Sequence, residues 1–208
     1  MKVIDMEKDP RGAHYAYFKN FTSPYVGLTV PCDITALYGK KPFFLHLLYC
    51  AIQAANSIPE LRRRILGDQV VEYECCNSSH TVALPDETYC YCELDCSMDF
   101  GSFLPYAMEQ VEKAKAAASI EEHDPVSLYF VSSVPWASFT ALNLPIPDPP
   151  FSNPQITFGK AYWQDGKYLL PLSLTVHHGL CDGIHMAKFY RLFEDNCKQL
   201  CTKETQGS

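Results

Sequence analysis

The stretch "YLLPLSLTVHHGLCDGIHMAKF", residues 168–189, changes from an alternating pattern to a helical one across a short polar turn. In its first half every second side chain is apolar or aromatic, which is the period of a strand that buries one face. These positions are Tyr168, Leu170, Leu172, Leu174 and Val176. From about Gly183 to Leu200 the apolar residues fall at helical spacing. The stretch therefore predicts a strand, a turn and a long helix.

The turn carries three histidines and an aspartate: His177, His178, Asp182 and His185. A zinc site is not favoured, because the usual H-E-x-x-H arrangement needs a glutamate between two histidines on one helical face. Two interpretations remain open from these residues alone. The histidines can be ordinary hydrogen-bonded polar groups, or one of them can be a general base, because imidazole titrates near neutral pH. Asp182 is well placed to cap the helix that follows it.

The rest of the chain alternates helical and strand-like segments. Helical spacing predicts helices within residues 42–57 and 101–119, with residues 59–65 as a short polar continuation of the first. Strand-like runs occupy residues 26–34, 69–76, 80–84, 88–94, 125–133, 155–163 and 168–178. Strands outnumber helices, and the helices are scattered between them. We therefore predict an α+β fold, a two-layer sandwich in which helices cover a mixed β-sheet.

Length, composition and charge restrict the class of protein. A chain of 208 residues with 47% hydrophobic and 20% charged residues is long enough for one well-buried core. We expect a single domain over residues 1–208, with residues 201–208 as a flexible tail. The formal charge of −7 argues against a nucleic-acid partner, because such proteins need clustered Lys and Arg. With no apolar leader and no run long enough to span a bilayer, we expect a cytoplasmic protein without a membrane partner.

The ten cysteines show no paired C-x2-C spacing of the kind that predicts a structural zinc site. Without a secretion signal, buried free thiols are the first expectation and disulfides the second. Cys197 and Cys201 lie one helical turn apart, which is more typical of packing than of metal ligation. We therefore expect no metal site.

The segment "LNLPIPDPPFSNPQ", residues 142–155, carries five prolines. Proline fixes φ and removes a hydrogen-bond donor, so a stiff extended loop is predicted here and not a ladder strand. Such a segment can be a linker between domains. Strand patterns on both sides favour a loop across the face of one domain, where rigid loops often line pockets.

Several segments together resemble the chloramphenicol acetyltransferase family of the trimeric type. "VHHGLCDGIHMAKF", residues 176–189, is similar to the H-H-x-x-x-D-G signature of that family, and "RGAHYAYF", residues 11–18, resembles its R-x-x-H-F-x-F-[FY] segment. "CDITAL", "AIQAANSIPELRRRI" and "VPWASFTALNL" follow in the family's order and spacing. The resemblance covers roughly residues 4–201. The shorter His-x-x-x-Asp-Gly core is less specific, because dihydrolipoyl acyltransferases and other coenzyme A-dependent acyltransferases share it.

The resemblance implies a reaction and a role for five residues. The reaction is direct acetyl transfer from the co-substrate acetyl-CoA to a hydroxyl of chloramphenicol, without an acyl-enzyme. His178 would be the general base, Ser132 would hydrogen-bond the developing oxyanion, and Thr157 would hold a water near the transition state. Asp182 and Arg11 would form a buried ion pair that supports the loop after the base.

The resemblance also implies a homotrimer whose active site lies between subunits. Aromatic and apolar residues expected on the acceptor side are Tyr15, Phe18, Tyr91 and Leu144. Two alternatives stay open: an acetyltransferase for a different hydroxylated small molecule, and a catalytically silent trimeric binding protein of the same fold.

Three departures from the family concern the acceptor side. Phe130 stands where some members carry an asparagine, and Glu93 lies near a position that is usually small and apolar. The proline-rich segment also differs in character from the family's asparagine-rich one. These departures make chloramphenicol a less secure expectation than acetyl transfer itself.

Overall fold

The computed structural model describes residues 1–121, 124–145 and 150–206. Four α-helices lie in this part of the chain: α1 (Gly12–Phe18), α2 (Phe43–Asn56), α3 (Phe100–Ala117) and α4 (Gly183–Gln206). Ten strands lie in the same residues: β1 (Lys2–Ile4), β2 (Tyr25–Asp33), β3 (Arg63–Leu66), β4 (Gln69–Glu72), β5 (Asn77–Ala83), β6 (Tyr89–Leu94), β7 (Leu128–Ser133), β8 (Gln155–Phe158), β9 (Tyr162–Gln164) and β10 (Lys167–His177). None of these helices is long and apolar enough to cross a membrane.

The strands form two sheets. The large one is mixed, in the order β2-β10-β8-β7-β5-β6, with β9 paired to one end of β10. Its β5/β7 and β7/β8 pairs are parallel and its other pairs are antiparallel. The small sheet is antiparallel, in the order β1-β4-β3. A mixed sheet covered by helices confirms the predicted α+β fold.

The two faces of the large sheet differ in chemistry. On one face Leu172 pairs with Phe158 and Leu174 with Ile156, and these side chains are almost fully buried. Helices α3 and α4 pack against this sheet, and α2 packs against both of those helices. On the opposite face the register brings a row of hydroxyl side chains side by side, because neighbours across a ladder point the same way. The row includes Ser132, Thr157, Ser173 and Thr29.

Helices α2 and α4 form where the apolar spacing predicted them. The buried side of α4 recurs at intervals of three and four residues and consists of Met186, Phe189, Phe193, Cys197 and Leu200. The helix continues to Gln206, so residues 201–206 are helical where the sequence predicted a tail; residues 207–208 lie outside the described residues. Helix packing explains the difference, since Glu204 contacts both His46 of α2 and Lys40.

Residues 59–65 are not the predicted polar continuation of α2. A short 3-10 turn at residues 59–62 leads into β3. Arg64 is completely buried there and donates to the carbonyl oxygens of Leu61, Arg63, Val126 and Leu128. Arg64 can therefore be buried, although its sequence neighbourhood looks polar, because carbonyl groups from other parts of the chain accept hydrogen bonds from its guanidinium. The short helix α1 was also not predicted.

His80 is a buried imidazole on the helix-covered face of β5. It is 2% exposed, lies against Phe44 with ring centroids 5.1 Å apart, and its Nδ1 has no hydrogen-bond partner among the described residues. Burial lowers the pKa of His80 to about 4. Between pH 6.5 and 4, His80 is therefore protonated in the unfolded chain but stays neutral in the folded chain.

This difference predicts that acid weakens the fold through His80. The contribution is complete above pH 6.5 and is lost as the pH falls towards 4, by up to about 3 kcal/mol of unfolding free energy. Urea unfolding at fixed protein concentration, at several pH values from 7.5 to 4.5, should show a shallower loss for His80→Leu than for the unchanged protein. Parallel loss in the two proteins would exclude His80 as the cause.

Candidate active site

The segment between β10 and α4, residues 178–182, is a tight and largely buried loop. The amide of His178 donates to Pro24 O at 2.6 Å, and the amides of Leu180 and Cys181 both donate to His177 O at 3.0 Å. Gly179 leaves little room for a side chain, because a Cβ there would lie 3.0 Å from the ring of His177 and 3.4 Å from Tyr15 Cα. The loop conformation is therefore defined by packing and hydrogen bonds on both sides.

His178 is half-buried, and its ring is held in one orientation. Its Nδ1 lies 3.0 Å from Cys181 O, and its ring stacks on Phe18 with centroids 4.3 Å apart. A carbonyl oxygen can only accept, so Nδ1 carries a proton, and in the neutral ring Nε2 then has the lone pair. An imidazole in this tautomer can take a proton from a ligand at Nε2.

Arg11 is the main support of the loop, and it is 8% exposed. Its Nη2 donates to His178 O at 2.7 Å and to Cys181 O at 3.1 Å, and its Nε donates to Gly179 O at 3.4 Å. Its Nη1 lies 3.3 Å from Asp182 Oδ2. Burial alone would raise the pKa of Asp182, but the hydrogen bond and charge of Arg11 leave this pKa below its ordinary value. The structure thus brings Arg11 and Asp182 together.

The other two histidines of the motif are structural parts of the same loop. Burial, together with the neighbouring ring of His178, lowers the pKa of His177 to about 4, and its Nδ1 accepts the amide of Gly179 at 3.1 Å. His185 Nδ1 accepts the amide of Asp182 at 3.1 Å, and its Nε2 lies 3.7 Å from Glu60 Oε1. Across residues 1–121, 124–145 and 150–206, no three metal-binding side chains come close enough to hold an ion.

Ser132 and Thr157 lie side by side on β7 and β8, on the sheet face away from the helices. Ser132 Oγ is 3.5 Å from Thr81 Oγ1 on β5. Thr157 is 1% exposed, and its Oγ1 has no hydrogen-bond partner among the described residues. A buried hydroxyl without a protein partner is suited to hold a water molecule or a ligand atom.

Within one chain His178 is far from these hydroxyl groups. Thr157 pairs with Ser173 on β10, and His178 follows Ser173 by five residues along that strand. At about 3.3 Å per residue, this is about 16 Å. Ser132 lies one strand further away. His178 and Ser132 of the same chain are therefore too far apart to act on one reacting carbonyl, which would need both within about 3 Å.

The residues predicted for the acceptor side fall into two groups. Tyr15 and Phe18 lie on α1 beside the His178 loop, with Tyr15 buried and Phe18 stacked on His178. Tyr91 lies on β6 opposite Thr81, on the same sheet face as Ser132. Leu144 is half-buried in the segment after β7. The structure thus places α1 with His178 and β6 with the hydroxyl row.

Two of the three departures from the family, Glu93 and Phe130, also lie on the hydroxyl face. Glu93 is half-buried on β6, opposite Ser79. Phe130 on β7 packs edge-on against Phe151, with ring centroids 5.1 Å apart. Of the proline-rich segment, residues 146–149 lie outside the described residues.

Two contributors to the site were missed from the sequence. Pro24 accepts the amide of His178, and nothing in its local pattern marks it. Thr81 contacts Ser132, and the alternation of polar Ser79 and Thr81 along β5 was a signal that could have found it. Two cavities, of about 650 and 770 Å³, lie beside α3. The first lies between α2, α3 and α4, and the second runs along β6 and α3 and is lined in part by Tyr91 and Glu93.

Comparison with known proteins gives a consistent result. The family model described as chloramphenicol acetyltransferase matches residues 1–193. A chloramphenicol acetyltransferase from Bacillus pumilus is 28% identical over 198 residues, covering 90% of this chain and 89% of the relative. Chloramphenicol acetyltransferase 3 from Escherichia coli is 28% identical over 206 residues, covering 93% of this chain and 95% of the relative.

Solved structures agree with this result. A chloramphenicol acetyltransferase superimposes with a TM-score of 0.81 at 27% identity, covering 95% of this chain and 99% of that one. A dihydrolipoamide acetyltransferase from Azotobacter vinelandii superimposes with a TM-score of 0.67 at 19% identity, covering 90% and 86%. The second match shows a common fold only.

Proposed function

Because this chain belongs to the chloramphenicol acetyltransferase family, we propose that it transfers an acetyl group from acetyl-CoA to a hydroxyl of chloramphenicol, with His178 as general base. Family membership supports acetyltransferase activity; the acceptor and the residue roles are the proposal. The observation that carries it is the Nδ1 contact of His178 with Cys181 O, which leaves Nε2 ready to accept a proton.

In the proposed reaction His178 Nε2 removes the proton of the acceptor hydroxyl as its oxygen attacks the thioester carbonyl of acetyl-CoA. An alcohol is a poor nucleophile at neutral pH, so a positioned base should contribute about 10²–10⁴ in rate. The tetrahedral intermediate then expels the coenzyme A thiolate, which takes the proton from the imidazolium. The acetyl ester and free coenzyme A leave, and no acyl-enzyme forms.

The charge on the carbonyl oxygen of the intermediate needs a hydrogen-bond donor already aimed at it. Ser132 suits this role, since its hydroxyl lies on the polar sheet face beside Thr157. The hydroxyl of Thr157 is buried and has no partner within the described part of the chain, so a bound water could form the missing hydrogen bond. Asp182 and Arg11 act on the loop and not on the substrate.

A homotrimer with the site between subunits is part of the proposal. The distance within one chain supports a site between subunits. His178 lies about 16 Å from Ser173, and Ser173 pairs with Thr157. A second copy of the chain would therefore have to supply the hydroxyl groups to the base. Tyr17 and Phe21 pack with Phe18 beside His178, yet they are 66% and 42% exposed. A neighbouring subunit would cover these rings and exclude water from the reaction.

The acceptor pocket would draw on Tyr15 and Phe18 from one subunit and on Tyr91 and Leu144 from its neighbour. Glu93 shares the sheet face of Tyr91 and puts a carboxylate close to this pocket. A carboxylate there would disfavour the dichloroacetamide group of chloramphenicol as its neighbour. A different hydroxylated small molecule is therefore the second candidate, and a silent binding trimer is the third.

The test is acetyl transfer by the purified protein with acetyl-CoA and chloramphenicol, followed as loss of the thioester absorbance. Thiol reagents are less suitable because Cys75 is exposed. We expect turnover that depends on the acceptor and yields an acetyl ester by mass spectrometry. Turnover only with other alcohols of a panel would move the proposal to the second candidate, and no turnover with any of them would favour a binding protein.

A further inference from the structure

A buried ion pair joins the segment before α1 to the first residue of β3. Arg63 Nη2 lies 3.0 Å from Asp9 Oδ2, and Arg63 Nη1 donates to Asp9 Oδ1 at 3.2 Å. The two side chains are only 9% and 10% exposed. Arg63 Nε also donates to Glu72 Oε2 at 3.4 Å, across the β3/β4 pair. The Arg63 guanidinium thus binds the Asp9 carboxylate through two parallel contacts, which define the relative orientation of the two groups as well as their distance.

The same carboxylate holds the backbone of Arg11. Asp9 Oδ1 accepts the amide of Arg11 at 2.9 Å, and Asp9 O accepts the amide of Gly12 at 2.9 Å. A Cβ on Gly12 would lie 1.9 Å from Met6 O, so the chain folds back tightly on itself here. The position of Asp9 therefore determines where α1 begins and from where Arg11 extends.

Two groups of this segment reach the loop that carries His178. Arg11 donates to three carbonyl oxygens of the loop, and Phe18 at the end of α1 stacks on the His178 imidazole. The 3-10 turn just before Arg63 adds a third contact, since Glu60 O accepts Cys181 Sγ at 3.3 Å. Arg63 is thus linked to the loop indirectly, through Asp9 and Arg11 on one side and through the turn that precedes it on the other.

The pair is charged, and neither partner can be removed alone without effect. Burial would raise the pKa of Asp9, but the Arg11 amide and the Arg63 guanidinium leave it below its ordinary value. Burial would lower the pKa of Arg63, but the contact with Asp9 raises it. Removing one partner leaves a nearly buried charge without its counter-ion, and the segment must move to hydrate it.

We propose that Asp9 and Arg63 are positioning residues for the proposed acetyl transfer: through Arg11 and Phe18 they set the orientation of the His178 imidazole. The inference rests on the proposed function of His178. Neither residue contacts the substrate. A displacement of about 1 Å at the base is enough to lower the rate about 10²-fold.

The first test is the kinetics of Arg63→Met and Asp9→Asn. We expect kcat to fall about 10- to 100-fold in each, as for other residues that orient a catalytic group, while the KM values for acetyl-CoA and the acceptor change less than about twofold. The double variant should lose little more than either single one, because both break the same pair. Arg63→Lys should retain more activity, because its charge can still pair with Asp9.

Arg62→Met is the matched control. Arg62 is the neighbouring arginine, lies 3.7 Å from the same Glu72, and otherwise bonds the carbonyl groups of Tyr73 and Glu74. Lys8→Met is a second control, because it breaks an exposed pair with Asp5 one residue away from Asp9. Both should keep kcat within about twofold.

The second readout does not depend on activity. Nitrogen NMR of histidine-labelled protein reports which ring nitrogen carries the proton, and the His178 signals are those absent from His178→Ala. We expect the Nδ1–H tautomer in the unchanged protein and a mixture of tautomers in Arg63→Met. Unchanged tautomer and kcat in Arg63→Met would overturn the inference, as would an equal loss of kcat in Arg62→Met. If His178→Ala keeps full activity, the proposed function fails, while the tautomer still shows whether Arg63 orients the ring.

Discussion

Replacement of His178 by alanine is expected to lower kcat for acetyl transfer by about 10²–10⁴-fold. The neighbouring imidazole of His177 cannot take over, because its pKa is lowered to about 4 by burial and its Nδ1 already accepts the amide of Gly179. The KM for acetyl-CoA should change little, since the role proposed for His178 is proton transfer and not binding. The measurement is steady-state kinetics with the acceptor that gives turnover.

His178→Asn is the control for this result. An asparagine amide can still donate to Cys181 O and keep the loop closed, but it cannot accept a proton at neutral pH. It should therefore fold like the unchanged protein and remain as inactive as His178→Ala. Activity in either variant above about one tenth of the original would contradict the role of His178 as base, given the size of effect that a general base supplies. Partial recovery of His178→Ala by added imidazole would support that role.

Loss of the Ser132 hydroxyl is expected to lower kcat by about 10²–10³-fold in Ser132→Ala, the usual effect of removing one oxyanion donor. Mixing this variant with His178→Ala tests the architecture of the site. If His178 of one subunit acts with Ser132 of its neighbour, random mixed trimers contain both intact residues at about one quarter of their sites. Co-expressed or refolded mixtures should therefore recover up to about a quarter of the original kcat, although each variant alone is nearly inactive.

Thr81→Val is the control for Ser132→Ala, because it removes the hydroxyl that lies 3.5 Å from Ser132 Oγ without removing the proposed donor. Its effect should be much smaller than that of Ser132→Ala. No recovery in the mixed trimers, with a trimer shown by sedimentation, would mean that base and hydroxyl act within one chain. The separation of about 16 Å along β10 argues against that outcome.

Much of the fold was predictable because it rests on local periodicity. The alternation of residues 168–177 identified β10 and its apolar face, and helical spacing identified α2, α3 and α4. Segments whose structure depends on distant partners were not predictable in this way. Residues 59–65 resemble a polar helical turn, yet Arg64 and Arg63 are buried because carbonyl groups and carboxylates from other elements satisfy them.

The candidate site shows the same difference between features that a sequence pattern predicts and features that depend on how distant segments pack. The family pattern around His178 predicted a buried pair of Arg11 with Asp182. The two side chains are in contact, although that of Asp182 is 41% exposed, and the role of His178 as base stays a prediction. The acceptor side predicted from Tyr15, Phe18, Tyr91 and Leu144 stays a prediction; within one chain the structure places α1 beside His178 and β6 beside Ser132. Strand order decides this, and no spacing along the chain reveals it.

By itself, the sequence determined the strand, the turn and the helix that present His178, because side-chain periodicity acts between neighbours in the chain. Only the tertiary structure decided that Arg11 Nη2 lies 2.7 Å from His178 O and that Arg63, 54 residues after Asp9, bonds to that carboxylate. It also decided that Ser132 and Thr157 of the same chain lie far from the base. Such contacts depend on how the elements pack together, and the energy that selects one packing is shared among residues that the local pattern does not connect.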